Sequence, residues 1–154
     1  MKIILGLGGL LVLLIFAFLF TQNFFGVFGN KATAMIKNQS YTIDVVKTPK
    51  EKQIGLSGKK SIPLNYGMYF PFEKADYYAF WMKDMKFPID IIFIRENKIV
   101  TIHDSVPFAT SDTNNLPLYQ PDEPADAVLE ITAGLSKKNG FIKGDTITFK
   151  NLSQ

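Results

Sequence analysis

Eighteen consecutive residues, Ile3 to Phe20, carry no charged or strongly polar side chain. A helix that is apolar on every side needs apolar surroundings on every side, and the rest of this chain is too small to supply them. At a rise of 1.5 Å per residue the run would span about 27 Å, close to the hydrocarbon thickness of a bilayer. Phe24, Phe25 and Phe28 follow where an interfacial aromatic belt would sit, and Lys2 precedes the run. The expectation is one transmembrane helix in the cytoplasmic membrane, with the N-terminus inside and the remainder extracytoplasmic. A cleaved signal peptide is the competing expectation. Ala32-Thr33-Ala34 has the form of a cleavage site, but it lies about a dozen residues beyond an apolar run that is already long for a signal. The chain then divides into an anchor at 1–24, a linker at 25–33 and a single domain at 34–154.

The rest of the chain carries the marks of a small β domain. Ala34–Lys37 and Tyr41–Lys47 flank Asn38-Gln39-Ser40, and Tyr41, Ile43 and Val45 alternate with Thr42 and Asp44. This predicts a hairpin. Thr48-Pro49-Lys50-Glu51 changes the period: a capping threonine, a proline at the first helical position and a glutamate three residues on predict a short helix from Pro49 to about Leu56. Gly67–Phe72 and Tyr78–Met82 read as strands around a polar turn at Glu73–Asp76. Ile89–Arg95 and Lys98–His103, joined at Glu96-Asn97, give the clearest hairpin. Pro107–Pro124 reads as a long loop, Asp126–Thr132 as a strand, Ala133–Asn139 as one helical turn, and Thr146–Lys150 as the last strand. The predicted fold is mainly β, a small sandwich or partly closed barrel with one or two short helices.

Four stretches, in order, carry a family resemblance. Glu51–Leu56 is similar to a helix that ends in Gly-Leu-Met. Gly67-Met68-Tyr69-Phe70-Pro71-Phe72 resembles a Gly-Met-Leu-Phe-x-Phe strand. Phe80 to Ile91 resembles Phe-Trp-Met-Lys-Asn-Thr-x-x-Pro-Leu-Asp-Ile. Glu130–Gly134 with Gly144-Asp145 resembles a closing strand and turn. In all four the chain resembles the bacterial and archaeal domain of unknown function 192 family, and together they span about Tyr41 to Phe149. The resemblance implies a compact β-rich domain, often exported behind a signal or an anchor. It carries no activity with it. Ser57 stands where the family usually has Met, and Asp84-Met85 replace its Asn-Thr.

Function must therefore be sought in the chemistry of the side chains. The chain has no cysteine, which removes disulfides, thiol nucleophiles, Cys-ligated zinc and lipidation. Trp81, Lys83, Asp84 and Asp90 lie within ten residues around Pro88. An aromatic face beside a cation and two carboxyl groups suits a ligand platform. The structural alternative places Trp81 in the core and pairs Lys83 with Asp90 across the bend. His103 is the only histidine. With Asp84 and Asp90 it forms the short list of catalytic candidates. No phosphate-binding glycine loop and no nucleophile elbow occurs. A hard-cation site would need Asp104, Asp112, Asp122 and Glu123 to converge. No metal or cofactor is expected.

Charge is unevenly spread. Lys47, Lys50, Lys52, Lys59 and Lys60 cluster, while Asp104 to Glu130 holds six acidic residues and no basic one. The basic cluster lacks the aromatic residues of a nucleic-acid surface, and no nucleic-acid partner is expected. The resulting expectation is a membrane-anchored extracytoplasmic binding or accessory domain, acting on an envelope glycan or a membrane-protein partner. The alternative is an envelope hydrolase or lyase built on the carboxyl groups near Trp81.

Overall fold

The computed structural model describes residues 31–108 and 116–152. The apolar run and its anchor lie outside them, as do residues 109–115 of the long loop. Among the described residues no helix is long and apolar enough to cross a membrane.

The chain runs β1 (Thr33–Ile36), β2 (Gln39–Val45), α1 (Pro49–Ile54), β3 (Tyr66–Asp76), β4 (Ile89–Arg95), β5 (Lys98–Val106), β6 (Ala125–Thr132), α2 (Leu135–Lys138) and β7 (Ile147–Lys150). The strands form one seven-stranded sheet in the order β5-β4-β6-β3-β2-β1-β7. A sandwich needs two sheets, so that half of the expectation is corrected. The sheet instead curls into a half-barrel. Its two edge strands come together at one bridge, Lys98 to Thr146, where the Ile99 N–H donates to Asp145 O at 3.0 Å and the Gly144 N–H to Ile99 O at 2.8 Å.

Most local signals work as written. The Thr48 side chain accepts from the Glu51 N–H at 3.2 Å, and the Glu51 carboxyl accepts from the Thr48 N–H at 2.8 Å, so the capping box closes. Glu96 and Asn97 both adopt left-handed backbone, which matches the twist of the strands they join. Two expectations change. Glu73–Asp76 continues β3 instead of turning. Tyr78–Met82 is no strand: only Phe80 pairs, in an isolated bridge to Tyr119. Its aromatic composition suits a strand, but its side chains find partners above the sheet.

The connection from β2 to β3 explains which side of the sheet is covered. These strands are parallel. A parallel pair requires a crossover, which lays its helix over one face. Leu56, just after α1, is buried there with Met68, Phe70, Phe93 and Val128, and Met82, Met85 and Phe87 close over the same face. The opposite face packs Tyr41, Ile43, Tyr69, Ile92, Leu129, Ile131 and Ile147. The central strands are thus apolar on both sides, which is why β4 and β6 read as nearly continuous hydrophobic runs.

One acid interrupts β4. Asp90 is 0% exposed. Its carboxyl oxygens accept the N–H groups of Ser105 at 2.8 Å, Gly134 at 2.7 Å and Ser136 at 2.7 Å. Ile89 pairs with Val106 and Ile91 with His103, so Asp90 faces two residues of β5 and the strand bulges there. Ser105, in the bulge, has φ 53°. One side chain therefore holds the bulge of β5 and the turn from β6 into α2. Replacing Asp90 with Ala removes the acceptor of three N–H groups, of which that of Ser136 is buried and those of Ser105 and Gly134 are partly buried. A buried donor left without a partner costs about 1–3 kcal/mol. Asp90→Ala is expected to lower stability by about 2–3 kcal/mol, read from the urea unfolding midpoint at unchanged slope.

Candidate functional site

The segment from Tyr77 to Pro88 owes its shape to a pair of methionines and a left-handed residue. Met82 and Met85 are buried in the covered face of the sheet. The chain between them reverses at Asp84, φ 56°, a conformation that Asp and Asn tolerate better than most residues. The Gly58 N–H donates to Asp84 O at 3.0 Å and the Ser57 hydroxyl to Lys83 O at 2.8 Å, which fixes the turn against the end of α1. Trp81, Lys83 and Asp84 are therefore displayed while the methionines plug the core. Trp81 is 47% exposed, so its assignment to the core is corrected. Lys83 Nζ stands 5.6 Å from the Trp81 ring centroid.

Trp81, Lys83 and Asp84 share a shallow concavity with Gln53, Ile54 and Ser57. Asp90 is not among the residues lining it, and its carboxyl takes the backbone partners already described instead of Lys83. His103 lies elsewhere as well. Its Nε2–H donates to Gln120 O at 2.7 Å, and its ring meets Phe93 and Tyr119 edge-on, with centroids 5.7 and 5.5 Å away. The acids of the long acidic run are dispersed: Asp122 bonds with Thr101, Asp126 accepts from the Glu96 N–H, and Glu123 pairs with Lys143. Among the described residues no group of three or more acids and histidines converges.

A larger groove adjoins this concavity and shares Gln53, Ile54, Ser57 and Trp81 with it. Its volume is about 280 Å³, just below the usual range of roughly 300–1,000 Å³ for ligand pockets. One wall is the end of α1 and the residues after it, Lys52 to Ser57. The other is aromatic, formed by Phe70, Phe72, Tyr78, Phe80 and Trp81. Phe72 stacks on Tyr78 at 3.7 Å between centroids, and Phe80 meets Phe70 edge-on at 5.2 Å. Phe80 is tied in turn to Tyr119 by two backbone hydrogen bonds of 2.8 and 2.9 Å. His103, by holding Gln120, braces the outer side of this wall. Gly55 is left-handed with φ 50°, and a Cβ there would come within 3.4 Å of the Phe70 ring. The positive φ, more than that contact, gives the glycine at the end of α1 a structural reason. Lys52 lies at the rim, 4.4 Å above the Phe72 ring and bonded to Pro71 O. Of the five clustered lysines it alone lines this groove.

Glu130 also lines the groove. It is 6% exposed, and its Oε2 has no hydrogen-bond partner among the described residues. Burial pushes its carboxyl up to about 8. Glu130 is not among the candidate residues that sequence proximity groups. The available signal was one acid inside the apolar run Ala127–Ile131, a strand buried on both faces.

The Glu130 shift has a consequence for stability. The unfolded chain releases this proton near the ordinary glutamate value, whereas the folded chain keeps it until about pH 8. Between these values the folded state binds more protons, so stability is highest below the unfolded value and falls as pH rises toward 8. The expected loss approaches about 1.4 kcal/mol per pH unit across that window. Glu130→Gln should flatten the difference, as measured by urea unfolding of both proteins from pH 4.5 to 8.5.

Comparison with known proteins locates the fold. The model of the DUF192 family, described as "Uncharacterized ACR", matches residues 31–149. Two crystal structures are similar. One is a protein of unknown function from Novosphingobium aromaticivorans, with 24% identity and TM-score 0.67, covering 76% of this chain and 82% of that one. The other is a Sinorhizobium meliloti protein proposed to be a transcription regulator, with 26% identity and TM-score 0.66, covering 77% of this chain and 91% of that one. No curated protein matches the chain.

Proposed function

The chain belongs to the DUF192 family, and on that premise we propose that its domain is a non-catalytic glycan-binding module of the cell envelope. The apolar run Ile3–Phe20 would hold it at the outer face of the cytoplasmic membrane. The observation that carries this reading is the aromatic groove that opens toward the exposed Trp81. Sugar rings present an apolar face that stacks on aromatic rings, and their substituents need a few polar groups nearby. Lys83 and Asp84 supply such groups in the adjoining concavity that shares Trp81, and Glu130 supplies one in the groove itself.

Two other readings fit less well. A glycoside hydrolase requires two carboxyl groups facing one bond across a gap of roughly 5–9.5 Å. Asp90 is occupied by three backbone N–H groups, His103 braces the wall from outside, and among the described residues Glu130 is the only acid lining the groove. The regulator proposal attached to the Sinorhizobium meliloti protein would call for an element that enters a DNA groove. The described helices here have six and four residues, too short to serve as a recognition helix.

Trp81 is the only tryptophan in the chain, so its fluorescence reports on the groove alone. Titration of the full-length protein in detergent with soluble envelope-glycan fragments should give a saturable change in emission. Trp81→Ala, followed by calorimetry, should bind at least tenfold more weakly with unchanged unfolding. Flat titrations across the fragments, or full affinity in Trp81→Ala, would refute the reading.

A further inference from the structure

The floor of the groove holds a polar group that the fold does not use. Glu130 sits on β6 between Met68 of β3 and Ile91 of β4, both apolar. Backbone pairing holds the strand, and the side chain contributes nothing to it. Buried polar atoms in folded proteins are nearly always satisfied, and an unpaired one calls for a specific explanation. Asp90 shows what a structural acid looks like in this molecule, with three donors around its carboxyl group. Glu130 has an unpaired oxygen and borders an open groove.

The titratable and charged groups around it are few. On β3, Tyr66 is near enough to feel its charge, but the Tyr66 hydroxyl donates to Asp44 of β2 at 2.6 Å. On α1, Lys52 is turned to Pro71 O and the Phe72 ring. Tyr78 lies along the aromatic wall. Strand β4 presents Ile91. No cation pairs with Glu130 among the described residues. A carboxyl group buried in this way stays neutral, and a neutral carboxyl is a hydrogen-bond donor as well as an acceptor.

We propose that Glu130 reads the ligand of the groove by donating a hydrogen bond to the carbonyl oxygen of an acetamido group on a sugar ring. This rests on the glycan reading and names the sugar class. The lining selects it. Phe70, Phe80 and Met85 make the depth of the groove apolar. A substituent carrying only hydroxyls would leave polar atoms unpaired there. An acetamido group brings a methyl for the aromatic wall and one carbonyl for the acid. The ring itself can then extend over Trp81. An amino sugar lacking the acetyl group would bring its cation past Lys52 into an apolar lining, where it loses its hydration and has neither the methyl nor the carbonyl that the groove accommodates.

The test uses the full-length protein and two trisaccharides, tri-N-acetylchitotriose and its de-N-acetylated counterpart. The acetylated sugar should bind at pH 6, and the deacetylated one at least tenfold more weakly. Affinity for the acetylated sugar should fall roughly tenfold between pH 6 and pH 9, in step with the neutral fraction of Glu130. Glu130→Gln keeps a donor that cannot ionise, so it should bind with no such pH dependence. Glu130→Met fills the space without a donor and should lose binding while remaining folded. If the acetylated sugar binds but Glu130→Met binds equally well, or if the deacetylated sugar binds more tightly, the role of Glu130 is refuted and the glycan reading survives. If neither sugar changes Trp81 fluorescence or releases heat, the acetamido assignment is refuted; binding of other envelope-glycan fragments then decides whether the broader reading falls with it.

Discussion

Three backbone N–H groups converge on the carboxyl group of Asp90, and that convergence ties down segments leading to both edges of the sheet. The bulge it holds in β5 shapes the edge of the sheet beside His103. The turn it holds after β6 sends the chain into α2 and on to β7, the other edge. The acid is remote from solvent yet fully used. Its position in the Phe-Pro-Ile-Asp-Ile stretch is explained by this bonding, and the same stretch needs no ligand to account for that residue.

Forty residues later the sheet buries a second acid with the opposite outcome. Glu130 takes no comparable set of donors, and burial keeps its proton on at neutral pH. An acid of this kind weakens the fold as pH rises, so its presence in the floor of an aromatic groove is better understood as serving a ligand than as serving the sheet. The crossover from β2 to β3 makes the groove. It lays α1 over one face, leaves Gly55 against Phe70, and lets the Met82–Met85 turn dock beside it with Trp81 facing out.

Much of this was legible in the sequence. The capping box at Thr48–Glu51 and the turn at Glu96-Asn97 are local devices, and local devices are written in adjacent residues. The two-sided burial of β4 and β6 was visible as unbroken apolar runs. The parallel pairing of β2 and β3 was not, because nothing short-range distinguishes a crossover from another antiparallel return. Tyr78–Met82 misled for a related reason: its residues fit a strand, but no sheet edge was left to receive them except at Phe80. Proximity in the chain groups Trp81, Lys83, Asp84 and Asp90; the structure places the first three on one concavity and Asp90 away from it. Asp90 and Glu130 could not be told apart as acids in apolar strands, since the difference lies in which backbone amides fold back upon each.

Glu130 joins fold to function through a neutral carboxyl group with one unpaired oxygen beside the groove. Carbon-13 NMR of its side-chain carboxyl, followed from pH 5 to pH 10, addresses this without depending on stability or affinity. The expected result is a titration near pH 8 that moves upward when tri-N-acetylchitotriose is added, because a ligand that takes a hydrogen bond from the neutral acid must hold its proton on. A titration in the ordinary glutamate range, unmoved by the sugar, would contradict the account.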